Sequence, residues 1–181
     1  MQIRETGLPG LLILSPKVHK DQRGFFLETF REEFFQSLDE PVHFVQDNHA
    51  CSEEAGVLRG LHYQKPPAAQ TKLVWTARGA VFDVAVDLRR ASPTYGKSYS
   101  LVLTSGNFLR LFIPKGFAHG YMTLEPGTEV CYKTDHYYSP ENEGGLRWND
   151  PAPAIVWPEL EPIMTERDRN WPLLADLPAI F

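Results

Sequence analysis

Residues 81–88 read Val81-Phe-Asp-Val-Ala-Val-Asp-Leu88, and their alternation decides the fold class. Successive side chains of a strand point to opposite faces. Phe82, Val84, Val86 and Leu88 therefore share one face, with Val81, Asp83, Ala85 and Asp87 on the other. Strict alternation in a run rich in valine favours a strand over a helix. Similar short runs of Val, Leu, Phe and Tyr recur at residues 24–30, 43–50, 73–77, 99–104, 108–113, 119–124 and 129–138. Gly and Pro punctuate them as turn residues do. Short helices are predicted only at residues 31–38 and around 164–168, whereas a parallel α/β fold would need long amphipathic helices between its strands. From about residue 139 the chain becomes rich in Pro, Asn and Trp, the composition of an irregular tail packed over a β core. The expectation is an all-β jelly-roll sandwich or barrel with short peripheral helices, forming a single domain over residues 1–181.

Composition narrows the class further. A chain of 181 residues, 43 % of them hydrophobic, buries roughly 70 % of its unfolded surface and needs no disulfide or metal staple. Cys51 and Cys131 match no zinc spacing and read as reduced thiols, with a single bridge as the alternative. A net charge of -5 argues against nucleic-acid binding by phosphate neutralisation, although a local cluster of Arg and Lys can hold a small anion. No run reaches the ~20 apolar residues of a membrane span. Residues 8–14, broken by Pro9 and Gly10, lack the basic region and cleavage site of a signal peptide. The expectation is a cytoplasmic protein without a membrane or nucleic-acid partner.

Two segments carry candidate chemistry. Gly56-Val-Leu-Arg-Gly-Leu-His62-Tyr-Gln64 and Pro114-Lys-Gly116-Phe-Ala-His119-Gly120 resemble the two signature motifs of the cupin jelly rolls, G-x5-H-x-H and P-x-G-x2-H. The second matches at each fixed position. In the first, Gln64 stands at the second His, and Ala68 and Ala69 lie where a Glu ligand is expected. Catalytic metal sites use about three protein ligands, so two histidines would hold zinc or iron weakly, and no metal is expected. His62 and His119 are then available for acid–base work, imidazole having an ordinary pKa of ~6.5. The alternative is that both are hydrogen-bonded core residues. Arg59, Lys72, Asp83 and Tyr132 fall on or beside strands of the same barrel, and unpaired buried charge is costly. Asp83 has two readings, an orienting group for His119 or Lys72, or a structural strand residue. Arg59 and His62 have opposite parity, so both face one cavity only if Gly60 allows a bulge.

A closer resemblance runs over residues 7–171. It rests on Asp21-Gln-Arg-Gly-Phe-Phe-Leu-Glu28, Phe44-Val-Gln-Asp-Asn-His49, Val57-Leu-Arg-Gly-Leu-His-Tyr-Gln64, Val81-Phe-Asp-Val-Ala-Val-Asp-Leu-Arg89, Ile113-Pro-Lys-Gly-Phe-Ala-His-Gly120, Tyr132-Lys-Thr134 and Arg147-Trp-Asn-Asp150. These blocks, in this order, resemble the dTDP-4-dehydrorhamnose 3,5-epimerase family. The resemblance implies a homodimeric jelly roll, with neither metal nor organic cofactor, that converts dTDP-4-dehydro-6-deoxy-D-glucose to dTDP-4-dehydro-L-rhamnose. It implies His62 as base, Tyr132 as acid, Lys72 as the cation beside the enolate, and Asp168 as the acceptor that fixes the His62 tautomer. Arg23, Phe26, Glu28, Gln46, Asp47, Asn48, Arg59, His119, Glu143 and Arg167 are implied in nucleotide and sugar binding, with Tyr138 stacking on thymine. Arg23 and Glu28 lie on an N-terminal arm that crosses to the partner in this family. The family usually carries Lys at the position of Arg167, which keeps the charge and changes its geometry. Glu143, followed by Gly144 and Gly145, has solvated surface as its alternative reading.

Three other functions compete. A C3-only epimerase would share the fold and residues. A metal-dependent cupin is opposed by Gln64. A non-catalytic sugar-nucleotide binding protein would not need His62 and Tyr132 together.

Overall fold

The computed structural model describes residues 1–38 and 40–181. The alternating segments form strands, in chain order β1 (Gln2–Glu5), β2 (Leu12–Ser15), β3 (Val18–Asp21) and β4 (Gly24–Leu27), then the short helix α1 (Glu32–Gln36). They continue as β5 (Gln46–Ser52), β6 (Leu58–Gln64), β7 (Lys72–Arg78), β8 (Ala80–Asp87) and β9 (Ser98–Thr104). β10 (Arg110–Ile113), β11 (Phe117–Thr123), β12 (Thr128–Thr134), β13 (Glu143–Gly145) and the one-turn helix α2 (Glu166–Arg169) complete them. Pairing is antiparallel throughout these sheets. One sheet runs β1-β2-β10-β7-β12-β5, the other β13-β6-β11-β8-β9, and β3-β4 stand apart as a hairpin. The crossovers between the two large sheets are those of an all-β jelly roll.

Both faces of β8 are buried, each for its own reason. Val81 and Ala85 face inward and pack with Ile13, Val74, Leu111, Ile113 and Val130 of the opposing sheet. Val84, Val86 and Leu88 face outward, where Leu146, Leu174 and Leu177 of the C-terminal segment cover them. A third cluster lies under α1. Five residues of helix are far too few to stand alone; the fully buried Phe35 anchors them against Leu14, Leu73 and Phe112. Its ring packs 5.1 Å from Phe44 and 5.4 Å from Phe30.

The structure departs from the sequence expectation at several strand ends. The run expected at residues 129–138 stops at Thr134, because the Asp135 carboxylate accepts the Thr71 backbone N–H at 2.7 Å and pairs with Lys115 at 3.0 Å. Strands β1, β2, β3, β6 and β13 lie outside the runs expected as strands. β1 is exposed along its whole length and so carries no burial pattern to read. Cys51 and Cys131 are free thiols. No helix among the described residues is long and apolar enough to cross a membrane.

Candidate active site

The inner faces of the two sheets enclose a cavity of about 490 Å³. Gln46, Asn48, Lys72 and Tyr132 line it from the first sheet, and Arg59, His62, His119 and Tyr121 from the second. Tyr138, Glu143, Arg167 and Asp168 close its mouth.

The parity conflict between Arg59 and His62 is resolved as the spacing requires. His119 pairs with His62 and Tyr121 with Arg59, so Gly60 and Leu61 stand opposite Gly120 alone, a β-bulge. Gly60 has φ +120°, and a Cβ there would sit 2.7 Å from both the Gly120 Cα and the His119 carbonyl oxygen. Only glycine fits that conformation and that approach.

Each histidine is tied to a carboxylate. His62 Nε2 lies 2.7 Å from Asp168 Oδ1. An ionised carboxylate only accepts, so Nε2 carries the proton and Nδ1 is the basic nitrogen of the neutral ring. Asp168 is presented by α2, whose first turn is capped by Thr165 Oγ1 accepting the Asp168 backbone N–H at 3.2 Å. Burial pushes the Asp168 carboxyl up, but hydrogen bonds from His62, Trp171 and the Gly60 backbone overcome it and hold the group below its ordinary range. His119 Nε2 lies 2.9 and 3.0 Å from the two oxygens of the fully buried Asp83. Of the two readings of Asp83, the structure takes the first, with His119 as its partner.

Lys72 is pushed down to about 8 by desolvation, while the Asp83 and Glu143 carboxylates act in the opposite sense. Among the described residues its ammonium makes no hydrogen bond or ion pair. The Tyr132 phenol is pushed up, mainly by burial, with Arg59 lowering it and Glu143 raising it. It is therefore protonated at neutral pH. Tyr121, a cavity residue that sequence reasoning missed, is also raised, first of all by burial. Its parity with His119 on the strand expected at 119–124 was the available signal.

Polar groups at the mouth are interlocked. The Tyr138 hydroxyl donates to Glu143 Oε2 at 3.0 Å, and Arg167 Nη1 donates to the same oxygen at 2.7 Å. Glu143 thus belongs to the cavity rather than to solvated surface, because β13 pairs with β6 and sets Glu143 opposite Gln64. Gln46 Nε2 donates to Asn48 Oδ1 at 2.8 Å. Asn48 Nδ2 is buried without a hydrogen-bond partner among the described residues, a donor open to a ligand. Gln64, where cupins carry a histidine, binds the loops instead, donating to the Ala68 and Tyr137 carbonyls and accepting the Ser139 N–H. No three His, Cys, Asp or Glu side chains converge as metal ligands among the described residues.

Four expected site residues do not reach this cavity within the protomer. Asp47 points to the outer face of β5, because alternation puts Gln46 and Asn48 inside; it pairs with Lys133 at 2.6 Å. It therefore lies outside the lining of this protomer's cavity. Arg23, Phe26 and Glu28 lie on or just beyond the β3-β4 hairpin, outside the lining. Arg23 pairs with Asp21 and Glu28 with Arg31, each at 2.6 Å.

Fold and site together define a jelly-roll enzyme that moves protons within its substrate. A family model described as dTDP-4-dehydrorhamnose 3,5-epimerase matches residues 5–176. A Shigella flexneri protein named dTDP-4-dehydrorhamnose 3,5-epimerase is 46 % identical over 97 % of both chains. A Legionella pneumophila dTDP-6-deoxy-D-glucose-3,5-epimerase, solved with dTDP-4-keto-L-rhamnose, superposes with a TM-score of 0.93 at 41 % identity, covering 98 % of this chain and 95 % of its own. A 3'-monoepimerase of Streptomyces bikiniensis, solved with dTDP-quinovose, gives 0.88 at 32 %, covering 94 % and 86 %. The chain belongs to the dTDP-4-dehydrorhamnose 3,5-epimerase family.

Proposed function

We propose that this protein epimerises dTDP-4-dehydro-6-deoxy-D-glucose at C3 and C5 to dTDP-4-dehydro-L-rhamnose, in dTDP-rhamnose biosynthesis. One observation carries the mechanism: His62 and Tyr132 approach a single cavity from opposite sheets. Inversion needs that arrangement, a base on one face of the sugar ring and an acid on the other.

The 4-keto group acidifies the C–H bonds at C3 and C5. His62 Nδ1 takes one of these protons, and the electron pair passes to the carbonyl oxygen as an enolate. The Lys72 ammonium stabilises that oxyanion. Tyr132 then delivers its proton to the opposite face of the carbon, and Lys72 favours the tyrosinate left behind. His62 then releases its proton to solvent and Tyr132 takes one up, which resets the pair; repetition at the second carbon completes the reaction, and Asp168 holds the His62 tautomer throughout. The nucleotide and the sugar are bound by Arg59, Gln46, Asn48, His119, Glu143 and Arg167, with Tyr138 stacked on the base; aromatic stacking is worth ~1–3 kcal/mol per base. The protein works as a homodimer in which Arg23, Phe26 and Glu28 serve the neighbour's cavity.

Proton NMR of dTDP-4-dehydro-6-deoxy-D-glucose incubated with the protein in deuterium oxide tests the proposal. Deuterium entering at both C3 and C5 is expected. Label at C3 alone would make it a single-site epimerase, and label at neither carbon with dTDP still bound would overturn the enolate mechanism.

A further inference from the structure

Trp171 does not line the cavity, yet it packs directly against the His62–Asp168 pair. Its indole Nε1 lies 3.2 Å from Asp168 Oδ1, the same oxygen that receives the His62 Nε2–H at 2.7 Å. Its ring stands edge-on to the His62 imidazole, centroids 6.1 Å apart. The position is deliberate on the part of the backbone. Gly145 pairs with His62 across β13 and β6, and a Cβ on Gly145 would come within 2.2 Å of the Trp171 ring. Arg147 fixes the other side, its Nε donating to the Trp171 carbonyl at 2.9 Å and its backbone N–H to Pro172 at 2.9 Å.

We infer that Trp171 is a positioning residue for the epimerase reaction: its N–H shares the Asp168 oxygen with His62, fixing the carboxylate and keeping the base from becoming too basic. The physical reasoning is direct. A carboxylate oxygen that already accepts one N–H carries less negative charge toward a second donor. The imidazolium form of His62 is then stabilised less than it would be by an Asp168 oxygen that accepts from no other donor. Removing the indole N–H, with the ring kept, makes Asp168 a stronger partner and His62 a stronger base.

Other charges around the pair stay constant in that comparison. Arg167 Nε lies 3.9 Å from Asp168 Oδ1, its guanidinium 5.7 Å from the Trp171 ring, with Glu143 bound to it. Lys72, Arg59 and the His119–Asp83 pair face His62 in the cavity, together with the phenols of Tyr121 and Tyr132.

The test is Trp171→Phe, which retains an aromatic ring on Gly145. The acid limb of the kcat/KM–pH profile should move up by about half a pH unit, since a hydrogen bond to a charged group is among the stronger ones. NMR titration of the His62 ring should move in the same sense. In the unsubstituted protein, the Trp171 indole proton should titrate with the His62 midpoint, a readout that does not depend on any variant folding. An unmoved acid limb and an unmoved His62 titration, even with activity uniformly lower, would reduce Trp171 to packing and overturn the inference, as would an indole proton indifferent to His62. The inference rests on His62 being the base. His62→Asn, assayed alongside, separates the two: retained activity there would sink the assignment of the base, whereas its loss with a silent Trp171→Phe would sink the inference alone.

Discussion

At the scale of single residues, the cavity holds groups whose protonation is set by their surroundings. His62→Ala and Tyr132→Phe each remove one of the two proposed proton carriers, and a general acid or base contributes ~10²–10⁴-fold. Turnover in either variant should fall by about that factor, while dTDP affinity by calorimetry stays within a few-fold. Lys72 makes a separate prediction, because burial that serves catalysis harms the fold. Its fall from an ordinary 10.5 to about 8 corresponds to about 3 kcal/mol of lost stability. The folded pKa lies below the unfolded one, so the penalty is complete below pH 8 and fades as pH rises through 8 toward 10.5. Lys72→Met should therefore raise the denaturation midpoint at pH 7, by an amount that shrinks above pH 8, while abolishing turnover. In the unsubstituted enzyme kcat/KM should decline on the alkaline side near pH 8 as the ammonium of the free protein is lost, and a flat alkaline limb would remove Lys72 from the oxyanion's neighbourhood.

At the scale of elements, the bulge in β6 is the feature on which the site depends. Gly60→Ala would force a Cβ into the Gly120 backbone at a φ of +120°, and neither neighbour is a flexible side chain that could move aside. A loss of about 3 kcal/mol is expected, read as a lower urea midpoint with an unchanged slope. Activity should fall with it, since Arg59 and His62 no longer share the cavity. This bulge was legible in the sequence, because two polar residues of opposite parity cannot both face a cavity along a regular strand. His62 and His119 were legible through motif spacing, and the all-β class through the alternation of residues 81–88. Other positions were not. Nothing local separates Glu143 on a strand from Glu143 on a Gly-rich loop; the long-range pairing of β13 with β6 does. Asp47 entered the site by resemblance alone, whereas alternation at residues 46–48 sets it on the outer face of β5. Trp171 passed as part of the irregular tail from about residue 139 because its meeting with Asp168 depends on how the C-terminal segment packs, which no short-range pattern encodes.

At the scale of the whole molecule, the β3-β4 hairpin is the part that the single protomer does not explain. Phe25 and Phe26 are 60 % and 72 % exposed, a costly display of aromatic surface for an isolated chain. Among the described residues Arg23 ion-pairs only with Asp21, and both side chains are exposed. If the arm of one copy completes the cavity of the other, a hybrid dimer can be built from two damaged chains. One chain carries His62→Ala with its arm intact, the other an intact His62 with Arg23→Ala and Phe26→Ala. In such a dimer one cavity collects every substitution and the other has none. Mixing the two proteins under exchanging conditions should then restore activity above the sum of the separate preparations at low substrate, approaching half of the unsubstituted rate for each hybrid. An arm that serves its own cavity predicts no recovery, because each hybrid site keeps the defect it started with. The arm variant alone should show a raised KM with kcat largely preserved, since a guanidinium on the diphosphate contributes binding common to substrate and transition state.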